Sequence, residues 1–405
     1  MTRNNKTRAF LAYLMASSLW LAGMTLSSFL SSWLLVDRVG ASPEQTGWAS
    51  TLSRIVPLAF LLAGGVLVDR SNNRRYLVLM HLLIVVPGLV LASLVASDQL
   101  GYIAVVGFMV AMSALQALSG PARQSVLNRV AATDIQRSVT MVALTGSVVS
   151  FLAVTLGGAM DKIGDAPILI TMCALFALGL WPILKLPNLP PLAKATEKSG
   201  AQSAISELLE GARVTASNRV LRPVILCNFA SSMFNAGAYT VALPFITKNV
   251  YAGDAQTFGW ALGAITIGAG LSSVLLLLVM PFGKPGRVFL YFQLTRALIL
   301  ALMWVNFGEW VFYALMVLWG FNLGVTSTLA RTVVQLEAPE AARGKVFSLM
   351  LLSFMLASAI GAPILGAIVG AADPLTALLP GVAVSVLIFA FGYYSRLWVY
   401  TDPAH

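Results

Sequence analysis

The sequence predicts an all-α membrane protein of twelve transmembrane helices, in two pseudo-symmetric six-helix halves around a central cavity. Of its 405 residues, 58% are hydrophobic and only 10% are charged, and the mean hydropathy is +0.83. Soluble proteins carry about 25% charged residues. The composition therefore excludes a soluble protein. Only two cysteines and a dominance of apolar residues also exclude a disulfide-bonded secreted domain and a disordered chain.

The apolar residues are gathered into twelve runs, each about as long as the 20 helical residues that cross a bilayer. Gly and Pro within these runs are compatible with membrane helices. The predicted spans are 9–35, 45–68, 76–97, 102–124, 138–160, 166–186, 222–247, 256–282, 287–307, 310–332, 345–370 and 375–398.

A polar segment divides the spans six and six. It opens with Pro187, Pro190 and Pro191 and continues into a short amphipathic stretch, 204–214. We therefore expect an N-terminal half (1–186), a cytoplasmic linker with an amphipathic helix (187–221) and a C-terminal half (222–405).

The basic residues orient the spans. Twenty-one of the 26 Lys and Arg fall on the side of the N-terminus, whereas Arg38, Lys162 and Lys248 fall in the opposite loops. By the positive-inside rule, both termini are cytoplasmic. The net charge of +10 then reflects topology and attraction to membrane lipids, so we expect no nucleic-acid partner.

The two halves carry matching motifs. Ser-Gly-Pro-Ala-Arg-Gln-Ser-Val at 119–126 ends the fourth span, and Ser-Thr-Leu-Ala-Arg-Thr-Val-Val at 327–334 ends the tenth, 208 residues later. Arg75 and Arg287 open the third and ninth spans. A duplicated six-helix unit is typical of transporters that bind substrate between the repeats near mid-membrane.

The loop after the second span resembles the signature of the major facilitator superfamily: Gly-Val-Leu-Val-Asp-Arg-Ser-Asn-Asn-Arg-Arg at 65–75. Three further motifs, at 121–124, 207–213 and 343–346, are similar to bacterial siderophore exporters, such as the enterobactin exporter, and macrolide efflux proteins. The fourth-span arginine and most of the fifth-span signature of drug:proton antiporters are absent. The resemblance implies a substrate cavity lined by spans one, four, seven and ten.

The same resemblance implies a cytoplasmic gate. Asp69 would pair with a guanidinium and with the N-terminal end of span eleven, because a helix N-terminus attracts negative charge; a solvated loop carboxylate is the alternative. The residues expected in this gate motif are Gly65, Asp69, Arg70, Arg74, Arg75, Arg123 and Arg343.

Two arginines, Arg54 and Arg296, lie at hydrocarbon depth, where the sequence offers no Asp or Glu. An intramembrane charge is costly unless it faces water, a partner or a ligand. Each arginine therefore suits either an anionic substrate group or a helix–helix contact with backbone carbonyls.

Polar residues also mark one face of span seven and single positions in spans four and ten. In hydrocarbon such groups turn inward, either to a cavity or to neighbouring helices. The residues expected at the cavity, besides the two arginines, are Gln116, Asn228, Asn235, Tyr239 and Asn322.

No motif indicates an enzyme or a cofactor. The two histidines, His81 and His405, cannot form a metal cluster, and no phosphate-binding loop is present. We therefore expect a monomeric secondary-active exporter of a medium-sized amphipathic or anionic compound such as a siderophore, driven by protons in the bacterial inner membrane. Asp37 and Glu44 are the outer candidates for the coupling carboxylate. The alternatives are a multidrug or macrolide efflux pump, an organic-anion uptake symporter of the same fold, and a membrane enzyme or sensor.

Overall fold

The computed structural model describes residues 3–131, 135–190 and 201–401, and these residues form helices joined by short loops, without strands. We number the longer helices in chain order: α1 Arg3–Trp33, α2 Pro43–Arg70, α3 Asn73–Ala96, α4 Tyr102–Val130, α5 Ile135–Gly158, α6 Asp165–Leu178, α7 Ala201–Ser217, α8 Leu221–Gly237, α9 Ala255–Val279, α10 Pro285–Val305, α11 Glu309–Glu337, α12 Arg343–Ala371 and α13 Leu379–Tyr393.

Nine helices of the described residues are long and apolar enough to cross a membrane. The predicted spans 45–68, 138–160 and 222–247 are also helical, in α2, in α5 and in α8 with the helical turns that continue to Val250. An all-helical multi-pass fold is thus confirmed, and the count of twelve spans stays a prediction.

Apolar side chains on the outside of the helices fit a lipid environment. Ile103, Leu277 and Leu278 are 84%, 66% and 79% exposed. A soluble monomer rarely exposes contiguous apolar surface on this scale, whereas hydrocarbon solvates it.

The chain divides into two compact units. The first comprises Met1–Ala41, Leu52–Ala201 and Asp254–Gly259, and the second comprises Ser42–Thr51, Gln202–Gly253 and Trp260–His405. The start of α2 thus groups with the second unit, and the start of α9 with the first. The predicted division of the chain at residues 187–221 places each of these two helix starts in the other half. That division stays a prediction.

The helices have similar neighbours within each unit. In the first, α1 packs on α5, and α3 contacts both α4 and α6. In the second, α8 packs on α12, and α10 contacts both α11 and α13. This correspondence agrees with the duplication indicated by the sequence motifs.

Candidate functional site

A cluster of polar and aromatic side chains lies inside the first unit around Trp20 of α1. The indole N–H donates to Gln116 Oε1 at 2.6 Å, and the Arg123 guanidinium carbon lies 4.0 Å from the indole centroid. The centroid of the His81 ring lies 4.8 Å from the centroid of the same indole. We call Trp20, His81, Gln116 and Arg123 the Trp20 cluster.

His81 is fully buried, and both of its ring nitrogens are engaged. Nδ1 lies 2.9 Å from the Leu77 carbonyl oxygen, and Nε2 lies 3.3 Å from Arg123 Nη2. Gly179 makes room for the ring, since a Cβ there would lie 2.9 Å from its Cδ2 and Nε2 atoms. Arg123 itself is partly exposed.

The Trp20 cluster joins residues that the sequence assigned to different roles. Gln116 was expected at the substrate cavity and Arg123 in the gate motif, while His81 was considered only as a metal ligand. Trp20 carried no sequence signal, because one tryptophan among nine gives no hint of its neighbours. Packing between helices brings these side chains together.

In the second unit, Arg296 of α10 is fully buried. Its Nε donates to Ser385 Oγ at 3.0 Å and its Nη1 to Ser231 Oγ at 2.8 Å. Nη2 has no hydrogen-bond partner among the described residues. The contacts are therefore with serine hydroxyls of α8 and α13, not with the backbone carbonyls that the helix-contact interpretation invoked.

Asn235 and Asn322 are also buried. Asn235 donates from Nδ2 to the Ser231 carbonyl oxygen at 2.7 Å and accepts the Trp319 indole N–H at 3.1 Å. Asn322 donates from Nδ2 to the Phe292 carbonyl oxygen at 2.7 Å. Both side chains connect helices within the unit, which is the role of polar groups as interhelical contacts.

The remaining cavity candidates, Arg54, Asn228 and Tyr239, are partly exposed. They differ in this respect from Arg296, Asn235 and Asn322. The assignment of all these residues to a substrate cavity stays a prediction.

The gate motif lies at the junction of α2 and α3. Gly65, Asp69 and Arg70 belong to α2, and the side chains of Asp69 and Arg70 fall outside the described residues. Asn72 caps α3 by accepting the backbone N–H groups of Arg74 and Arg75 at 3.1 and 3.4 Å.

Two other parts of the gate prediction have defined surroundings. Arg74 Nη2 donates to the Leu184 carbonyl oxygen at 2.6 Å. Arg343 begins α12, the helix end at which the gate prediction places Asp69, and Lys345 two residues further pairs with Glu210 of α7 at 2.6 Å. The pairing of Asp69 with this helix end stays a prediction.

An ionic network, missed in the sequence, surrounds Arg38 in the first unit. The guanidinium contacts Asp37 at 2.9 Å, Asp161 at 2.7 Å and Asp165 at 2.8 Å. Asp161 also accepts the backbone N–H of Ala255 at 2.7 Å. One arginine thus holds together three carboxylates and the start of α9.

Substitution Arg38→Met should lower the free energy of unfolding by about 1–2 kcal/mol. Charge-assisted hydrogen bonds contribute about 1.5–3 kcal/mol, and partial exposure of this side chain screens them. Thermal unfolding in detergent measures the loss, with the exposed Arg222→Met as the matched control. The difference should shrink in 1 M salt, at a Debye length of about 3 Å. Equal unfolding temperatures for both variants would contradict the stabilising role of the network.

Helices that cross a membrane and buried polar contacts between them define a multi-pass membrane protein. The chain matches the Major Facilitator Superfamily model over residues 10–362. It therefore belongs to this family, whose members are transporters and not enzymes.

Among characterised proteins, the chain is 25% identical to the enterobactin exporter EntS of Escherichia coli O81 (strain ED1a), over 339 residues. The match covers 80% of this chain and 77% of that protein. The enterobactin exporter of Escherichia coli O139:H28 matches to the same extent. The predicted resemblance to the enterobactin exporter subgroup is confirmed by these relatives.

Solved structures share the fold. The nucleoside transporter NupG superposes with a TM-score of 0.74 at 16% identity, covering 96% of this chain and 98% of that one. A bacterial homologue of the lysosomal transporter Spinster, in an inward-facing unoccupied state, gives 0.68 at 13% identity and 98% coverage of each chain. At these identities the likeness shows the fold alone.

Proposed function

We propose that the chain is a secondary-active exporter of a medium-sized amphipathic or anionic compound such as a siderophore, working by alternating access. The similarity to enterobactin exporters over four fifths of the chain carries this proposal. The proton gradient supplies the energy, the location is the bacterial inner membrane with both termini cytoplasmic, and the chain acts as a monomer.

The charge of the candidate residues supports an anionic substrate. Arg54 and Arg123 are both partly exposed, and an arginine remains protonated at any physiological pH because its intrinsic pKa is about 12.5–13.8. Fixed positive charge attracts carboxylates and repels cationic drugs. A multidrug or macrolide pump for cations is thus the weaker alternative.

The outer carboxylates are less suited to carry the proton than the sequence suggested. Asp37 pairs with Arg38 at 2.9 Å. Hydrogen bonds from its own backbone N–H and from the Ser42 hydroxyl lower the pKa of Glu44. Because its pKa is lowered, Glu44 stays ionised as the pH falls through the range in which a proton carrier must titrate.

One observation favours a second candidate, an organic-anion uptake symporter of the same fold. The histidine and arginine of the Trp20 cluster are in direct contact at 3.3 Å. Such a pair links proton binding to anion binding with the sign that symport requires.

Sided membrane vesicles distinguish the candidates. We expect an energised inside-out vesicle containing the protein to accumulate a radiolabelled catecholate or benzoate, and a protonophore to stop it. Vesicles from cells lacking the protein are the control. Accumulation only in right-side-out vesicles would favour the uptake symporter. Accumulation of a cationic dye alone would favour the multidrug pump.

A further inference from the structure

We propose that Arg123 and His81 form a subsite that binds an anionic group and a proton together. The proposal rests on the anionic substrate of the proposed function, and it identifies residues that recognise the anion and link it to the proton. Because the proton and the anion bind together, this subsite is the one expected of the second candidate, the organic-anion symporter, whose anionic substrate the exporter shares.

Arg123 is placed to meet an anion. Its guanidinium stacks on Trp20 at 4.0 Å, an arrangement that holds a cation over an aromatic face. The indole is itself fixed by its hydrogen bond to Gln116 and by a T-shaped contact with the Phe176 ring, the two ring centroids being 5.3 Å apart. Arg123 Nε is buried and has no hydrogen-bond partner among the described residues, whereas the residue as a whole is partly exposed.

His81 is in contact with this guanidinium, and its two hydrogen bonds allow a single protonation pattern. The Leu77 carbonyl can only accept, so Nδ1 must carry the hydrogen in their 2.9 Å contact. Arg123 can only donate, so Nε2 must be the unprotonated nitrogen that accepts from Nη2 at 3.3 Å. The contacts therefore select the neutral imidazole.

A proton that binds to His81 must take the Nε2 lone pair. It ends the hydrogen bond from Arg123 and places two positive charges side by side in a buried setting, which disfavours protonation. An anionic group on Arg123 offsets this repulsion and draws the guanidinium away from Nε2. Anion binding and proton binding therefore favour each other, and by linkage each strengthens the other by the same factor.

Few other ionisable groups face this pair. From α1, Tyr13 lies within electrostatic range of Arg123, and it is neutral at physiological pH. Trp20 and Gly179, which lie against the His81 ring, do not titrate. Within the described part of the chain, no Asp or Glu forms an ion pair with Arg123 or His81.

The protonation state of His81 can be observed directly, because the chain has only two histidines. In His405→Gln protein carrying ¹⁵N-labelled histidine, the imidazole nitrogen signals report the charge and tautomer of His81 alone. The full chain in detergent is titrated between pH 5 and 8, with benzoate as the anionic probe and benzamide as its neutral counterpart.

We expect the Nδ1–H tautomer without a probe, and a larger protonated fraction of His81 at the acidic end of the titration when benzoate is added. The proton affinity should rise about 5-fold or more, at the lower end of typical coupling between sites. Benzamide should have no effect. In Arg123→Gln, His81 should protonate more readily without any probe, and benzoate should add little.

An imidazole spectrum that benzoate leaves unchanged would overturn the proposal, as would the same benzoate response in Arg123→Gln. The comparison of benzoate with benzamide needs no variant at position 123, so it decides the matter even if that variant does not fold. The vesicle experiment tests direction and substrate charge separately. Transport of an anion without a response at His81 would therefore contradict this subsite and leave the proposed function intact.

Discussion

Substituting Arg54 with glutamine should weaken the binding of a carboxylate substrate roughly 10- to 150-fold. This corresponds to the 1.5–3 kcal/mol that hydrogen bonds to charged groups contribute. Arg54 sits in α2 next to Ser53, and the side chains of both residues are partly exposed. An arginine stays protonated through the transport cycle, so we expect Arg54 to bind the anion and not to carry the coupling proton.

The conservative variant separates charge from geometry. Arg54→Lys keeps the positive charge and loses the two parallel N–H groups that bind a carboxylate. We expect affinity to fall in the order wild type, Arg54→Lys, Arg54→Gln, measured by equilibrium binding to purified protein. The amide analogue of the same substrate should bind all three alike. If Arg54→Gln bound the carboxylate as tightly as wild type, Arg54 would be a packing residue and cationic drugs would again be plausible substrates.

The fold was predictable because a bilayer imposes a strong constraint on sequence. Apolar runs of about 20 residues have few alternatives to membrane helices. The amphipathic stretch 204–214 is helical, since it lies within the helix Ala201–Ser217. The grouping of the start of α2 with the second unit, and of the start of α9 with the first, was not predictable, because it depends on how the helix ends pack.

The candidate site was predictable only in its composition. The intramembrane arginines and polar positions stand out from an apolar background, but their partners lie on other helices. Arg296 illustrates the limit: Ser231 and Ser385 are 65 and 89 residues from it in sequence. The contact between His81 and Arg123 likewise joins positions 42 residues apart. Neither pairing has a periodic signature.

A second large effect, on stability, is expected on substitution of Gly361 in α12, where two helices pack closely. A Cβ at this position would overlap the carbonyl oxygen of Met233 in α8 and lie 2.6 Å from its carbonyl carbon. Gly237, on α8, contributes to the same crossing, since a Cβ there would lie 3.3 Å from Gly361. In a membrane, small residues permit such backbone contact and dispersion stabilises it.

Gly361→Ala should therefore destabilise the protein by about 1–3 kcal/mol or more, as overpacking does, because backbone atoms cannot rotate away from the new methyl group. The matched control is Gly270→Ala in α9, where a Cβ meets nothing within 4 Å. There the higher helix propensity of alanine should leave stability unchanged or raise it by up to about 1 kcal/mol. In detergent, the unfolding temperature of Gly361→Ala should therefore fall, whereas that of Gly270→Ala should stay the same or rise. Equal changes in the two variants would mean that α8 and α12 do not meet at this glycine.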